Sequence, residues 1–77
     1  MNHVTIFLKN NCPLCDEVKS LLDLFMKDYA IVMEEIDIEK DEKLLEKYFL
    51  EVPVIRINGE ELDYRSIDYF SIENRLH

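Results

Sequence analysis

Lys9-Asn10-Asn11-Cys12-Pro13-Leu14-Cys15 joins two hydrophobic patterns of different period, and its reading decides the fold. Upstream, His3 to Lys9 is a continuous β-prone run. Downstream, Pro13 suits the first turn of a helix, and Leu14, Val18, Leu21, Leu22 and Phe25 recur at helical spacing. Cys12 is therefore expected at a helix N-terminus. Unpaired backbone N–H groups and the positive end of the helix dipole favour a thiolate there, lowering its pKa from ~8.5 into the ~3.5–7.5 range. Cys15 falls one turn on, on the same face, within reach of a mixed disulfide formed at Cys12. Half of a zinc site and inert packing are the competing readings of the pair. Zinc needs four ligands, and the chain offers only His3 and His77 beyond the two cysteines. Packing does not explain Pro13 between two thiols at a strand-to-helix junction. Redox chemistry is the stronger reading, and no metal is expected.

Seventy-seven residues, 48% hydrophobic and 34% charged, describe one small globular domain over 1–77. No apolar run approaches the ~20 residues of a membrane span, and Met1-Asn2-His3-Val4 lacks the basic start of a secretory signal. The expected location is cytoplasmic, where a lone close cysteine pair is more readily catalytic than structural. Seventeen acidic residues against nine basic give a formal charge of −8, which argues against nucleic acid and against a membrane surface as partner. The charge permits steering toward a basic partner. Glu34, Glu35, Asp37, Glu39, Asp41, Glu42 and Glu46 read more simply as solvated faces.

Within His3 to Lys9, Val4, Ile6 and Leu8 face one way and Thr5 and Phe7 the other, as in a central strand covered on both sides. A helix is predicted from Pro13 to near Asp28, then a strand over Ile31 to Ile38. Strand, helix, strand implies a right-handed parallel crossover, and the acidic residues of the second strand suggest a sheet edge. Asp41 can cap a short helix with Leu44, Leu45, Tyr48 and Phe49 on one side, a stripe that reads as core rather than as a groove. Val52 to Ile57 is a third strand, and Asn58-Gly59 predicts a two-residue hairpin turn into Glu60 to Tyr64. Ser66 is the expected N-cap of a last helix ending near Leu76, with Ile67, Phe70, Ile72 and Leu76 available for burial.

This order, β-α-β-α-β-β-α, with Cys12-Pro13-Leu14-Cys15 after the first strand and Val52-Pro53 opening the third, resembles the thioredoxin fold and, within it, the glutaredoxins. The resemblance runs the length of the chain. Proline directly after the first cysteine is similar to the glutaredoxin active site; thioredoxins carry proline before the second cysteine and a Trp before the first, whereas this chain has Asn11 there and no Trp. A short bacterial glutaredoxin-like group is the best match. The resemblance implies an α/β fold, a four-stranded mixed sheet with helices on both faces. It also implies a cis Pro53 against the thiols and a Val52 backbone free to pair with an extended substrate. Lys9 matches a basic residue of the family that favours thiolate or a substrate carboxylate; a solvated lysine is the plainer alternative.

One departure concerns glutathione. Relatives that bind it carry a glycine pair where this chain has Asp63 and Tyr64, and Gly59 is its only glycine. Arg65 can partly offset Asp63, and Tyr64 can wall the site or pack in the core. No tightly bound cofactor is expected, and glutathione binding is expected to be weak. The leading function is a monomeric thiol-disulfide oxidoreductase: Cys12 is the nucleophile, Cys15 the resolving thiol, and Lys9, Pro13, Leu14, Val52, Pro53, Tyr64 and Arg65 contact substrate. Its partners are a disulfide-bearing protein or small thiol and an external reductant, glutathione or a thioredoxin reductase. The alternative is a redox-inert or redox-sensing module that recognises an extended segment along Val52-Pro53. Cluster binding through Cys12 on a dimer is weaker, because Pro13 differs from the small-residue setting of cluster-binding relatives.

Overall fold

Strand β1 (Asn2–Leu8) divides the core in two because its successive side chains point to opposite faces. The computed structural model describes every residue from Met1 to His77. β1 runs parallel to β2 (Ile31–Asp37) on one side and antiparallel to β3 (Val54–Ile57) on the other, and β3 pairs antiparallel with β4 (Glu60–Leu62). The order β2-β1-β3-β4 puts the acidic β2 at an edge, as its composition suggests.

Helix α1 (Pro13–Phe25) lays Val18, Leu22 and Phe25 against Val4, Ile6, Ile55 and Ile57, and α3 (Tyr69–Glu73) adds Ile72 to the same core. A second core lies on the other face, where α2 (Glu42–Tyr48) brings Tyr48 onto Phe7, Ile38, Val52 and Val54, joined by Cys15. The helices thus occupy both faces of a four-stranded mixed sheet. Ile6, Leu22 and Ile55 are wholly buried, so truncating any of them to Ala removes on the order of 2–5 kcal/mol.

Local chemistry sets the boundaries. Asn58 and Gly59 both adopt positive φ, 50° and 91°, as the predicted hairpin turn requires. The Asp41 carboxylate accepts from the N–H groups of Lys43 (2.9 Å) and Leu44 (3.3 Å), capping α2 as expected. Ile38 leaves the strand predicted for it and opens a 3₁₀ turn, Ile38–Lys40.

Two expectations are corrected. The cap of the last helix is Asp68, whose carboxylate accepts from Ser71 N–H at 2.7 Å; Ser66 lies before the helix, in a turn where its N–H donates to Asp63. That shift leaves Phe70 71% exposed, while Ile72 and Leu76 face the core. Phe49 also departs from the buried stripe assigned to it. α2 ends at Tyr48, a turn closes through Glu51 N–H to the Tyr48 carbonyl, and Phe49 and Leu50 are left 56% and 78% exposed. Tyr48 is the one fully buried residue of the stripe, its ring 5.0 Å from that of Phe7 and its hydroxyl donating to Glu61 at 2.9 Å, while Leu44 and Leu45 pack half-buried against the same core.

Candidate active site

Asn11 turns the chain out of β1 into α1 at φ 56°, a left-handed conformation that asparagine tolerates better than most residues. The preceding Asn10 N–H donates to a Glu39 carboxylate oxygen at 3.0 Å, which ties the loop to the 3₁₀ turn. Cys12 then takes the N-cap position of α1 with extended backbone, and Pro13 follows at the first helical position. The Cys15 backbone N–H donates to the Cys12 sulfur at 3.2 Å. The sulfur fills the role that a Ser or Asp oxygen plays in ordinary caps.

Cys12 and Cys15 are joined by a disulfide, with Cα atoms 5.2 Å apart. Their surroundings differ. Cys15 is 2% exposed inside the second core, whereas Cys12 is half-buried and packs on that core from its border. Pro13 and Leu14 between them are exposed. The more exposed cysteine is thus the one at the helix start, its sulfur facing the dipole and accepting the Cys15 N–H.

The Val52–Pro53 peptide bond is cis, and Pro53 is fully buried between Val52 and Val54, both members of the core that holds Cys15. Val52 precedes the β3 ladder and takes part in none of the turn or loop hydrogen bonds of the backbone. Cys12, Cys15 and Val52 are therefore brought together in one apolar cluster.

The charged residues assigned to the site have other partners. The Lys9 ammonium lies 5.7 Å from the centre of the Phe49 ring. The Arg65 guanidinium stacks over Tyr64 at 5.2 Å and approaches the Glu51 carboxylate to 3.6 Å. Asp63 accepts from Arg65 N–H (2.9 Å) and Ser66 N–H (3.2 Å), so its carboxylate is engaged in its own turn. Arg65 and Tyr64 meet the cysteine side of the molecule through Glu51, one residue before Val52. Glu51 and Glu39 are the residues that sequence reasoning missed at this border. Both look like any solvated carboxylate in the chain.

Solved structures of similar shape place the arrangement among known proteins. The target protein XcR50 from X. campestris shares 28% identity, covers 92% of this chain and 91% of its own, and superposes with a TM-score of 0.76. Protein Ne2328 from Nitrosomonas europaea shares 26% identity over 99% of this chain and 92% of its own, with a TM-score of 0.81. Thioredoxin-2 of the malaria parasite, at 20% identity, covers 94% of this chain and 77% of its own with a TM-score of 0.71, a likeness of fold alone. The fold is thioredoxin-like, and the adjacent Cys12–Cys15 disulfide in it points to a redox role. Residues 3–77 match the profile of the glutaredoxin-like domain family (DUF836), and the chain belongs to that family.

Proposed function

We propose that the protein is a thiol-disulfide oxidoreductase in which Cys12 is the nucleophile and Cys15 the resolving thiol. The observation that carries this reading is the asymmetry of the pair: Cys12 is half-buried at the start of a 13-residue helix, its sulfur accepting the Cys15 N–H, while Cys15 lies behind it at 2% exposure. In the reduced protein the Cys12 thiolate attacks one sulfur of a substrate disulfide, and the other sulfur leaves as a thiolate that takes up a proton. Cys15, as thiolate, then attacks the Cys12 sulfur of the mixed disulfide and expels the second substrate thiol. Two electrons pass to the substrate and the protein is left as the Cys12–Cys15 disulfide. An external thiol reductant, glutathione or the dithiol of a thioredoxin reductase, restores the dithiol in the cytoplasm.

Val52 supports a role in seating substrate, since its backbone has no partner among the loop and turn hydrogen bonds and its neighbour Pro53 offers no N–H. An extended segment beside the thiols would find a carbonyl and an N–H there. Pro13 and Leu14 are exposed next to the sulfurs and form the apolar lip of the same place. Lys9, Tyr64 and Arg65 stand at its rim. The domain works as a monomer, without a bound cofactor.

The test is a mixed-disulfide trap. Cys15→Ser should accumulate a covalent adduct at Cys12 with a disulfide substrate, and Cys12→Ser should be inert. Supplying the oxidised protein separately with glutathione and with a thioredoxin reductase identifies the reductant. No adduct with any disulfide, together with no reduction by either donor, would remove the exchange mechanism.

A further inference from the structure

Glu42, Leu45, Glu46 and Phe49 stand at i, i+3, i+4 and i+7 along and just beyond α2, so they share one side of the helix, and they line an open groove of about 550 Å³. That volume lies in the range of small-molecule pockets, but an enclosing pocket needs walls from several elements. Here one stretch of chain supplies all four residues. The shape suits a segment of another protein laid across the surface.

The groove is built of two chemistries. Its floor is apolar: Leu45 is half-buried against the core on which Cys12 also packs, and Phe49 is exposed beside Leu50. Its flanks are the exposed carboxylates of Glu42 and Glu46. Lys43 and Lys47 do not line it, and the Lys47 ammonium lies over the Tyr48 ring at 5.1 Å. The Lys9 ammonium, 5.7 Å from the Phe49 ring, links the groove to the loop that carries Cys12. A second copy of this chain is a poor occupant, because it carries the same −8 charge and would set carboxylate against carboxylate.

We propose that this groove docks the basic, apolar flank of a protein disulfide. An aliphatic or aromatic side chain of the partner covers Leu45 and Phe49, a neighbouring Lys or Arg meets Glu42 and Glu46, and the partner's cystine reaches Cys12. This rests on the exchange reading above and adds the chemistry of the partner. Exposed aromatic floors supply binding energy of this kind, and the flanking charges supply selectivity and encounter rate.

The experiment uses three substrates with the pre-reduced protein in single turnover: a cyclic disulfide peptide flanked by Leu-Lys-Arg, the same peptide flanked by Leu-Glu-Asp, and 2-hydroxyethyl disulfide. The basic peptide should react roughly 10-fold faster than the acidic one at low salt, the ratio shrinking as salt screens the charges. Phe49→Ala, and Glu42→Gln combined with Glu46→Gln, should each slow the basic peptide roughly 3- to 10-fold and leave 2-hydroxyethyl disulfide unchanged. Equal rates for the two peptides, or variants that slow all three substrates alike, would overturn the docking proposal. If 2-hydroxyethyl disulfide is not reduced at all, the exchange reading fails, and docking is then judged by binding. A Cys→Ser linear form of the basic peptide should shift the backbone amide resonances of Glu42, Leu45, Glu46 and Phe49 in the oxidised protein. Shifts centred elsewhere, or shifts at these residues that follow protein concentration without peptide, would overturn it.

Discussion

The Cys15 backbone N–H donates to the Cys12 sulfur at 3.2 Å, so a donor of the first turn of α1 is aimed at the more exposed sulfur of the pair. In the reduced protein this donor and the helix dipole act on a thiol, and both favour its ionised form. Alkylation rate against pH should therefore show one fast thiol with an inflection below ~8.5, lost in Cys12→Ser and retained in Cys15→Ser. A fast thiol that survives in Cys12→Ser would reverse the proposed roles.

Asn11 holds φ at 56° immediately before the nucleophile. Gly accepts this conformation freely, while a β-branched residue pays about 1–2 kcal/mol. Asn11→Gly should stay within about 0.5 kcal/mol of the parent, and Asn11→Val should lose about 1–2 kcal/mol in urea unfolding while slowing Cys12 alkylation. Equal stability of the two variants would mean that the loop relaxes without moving the cap.

Much of this arrangement was legible in the chain itself. Period-2 and helical spacing either side of Cys12 gave the strand-to-helix junction, Asn58-Gly59 gave the hairpin, and the acidic β2 gave the sheet edge, because each signal is local. What escaped is non-local. Phe49 sits at the margin of the stripe, four residues on from the half-buried Leu45 but on the same side of the helix as the exposed Glu42 and Glu46, and it is exposed with them. Asp68 and Ser66 are both good caps by type; the chain around Ser66 closes a turn on Asp63 and the helix starts only at Tyr69, which puts Asp68 at the cap. The pairing of Arg65 with Glu51 joins residues that no short-range pattern connects.

Asn2 shows the same limit most clearly, since its side-chain partners lie 28 to 75 residues away. It is buried, donates to the carbonyls of Ala30 (3.1 Å) and His77 (3.0 Å), and accepts from Asn58 Nδ2 (3.0 Å) and His77 N–H (2.8 Å). All four hydrogen-bonding capacities of the amide are used. Asn2→Ala should cost about 2–3 kcal/mol in denaturant unfolding, because it strands partly buried groups of His77. Asn2→Asp should be worse still at neutral pH, having no donor for either carbonyl. A loss below about 0.5 kcal/mol would show that water replaces the amide.

The Asp68 carboxylate is held below the ordinary aspartate range by the Ser71 N–H it accepts. A depressed folded-state pKa means that the cap's contribution is fully present above the unfolded pKa and is lost as pH falls through the folded one. Urea unfolding between about pH 2 and 6 should show that decline, and Asp68→Asn should reduce its slope in that window. An unchanged slope would assign the acid sensitivity to other carboxylates.

Glutathione use turns on Arg65. The tripeptide is anionic, and the two cations assigned to receive it are both engaged, Lys9 over Phe49 and Arg65 between Tyr64 and the Glu51 carboxylate at 3.6 Å. By the resemblance to glutaredoxins, Asp63 and Tyr64 replace a glycine pair whose backbone approaches the ligand, and Asp63 is fixed by accepting the Arg65 and Ser66 N–H groups. Turnover of a small glutathione mixed disulfide should therefore be slow with a high KM. Glu51→Gln frees Arg65 of its carboxylate without touching the thiols. Both charged groups are exposed, so the gain is modest: KM should fall about 2- to 5-fold with kcat unchanged. Adding Arg65→Ala should erase the gain. High turnover by the unmodified protein would show that Lys9 and Arg65 suffice as they stand. A gain that persists without Arg65 would trace to the lost Glu51 charge itself rather than to the released guanidinium.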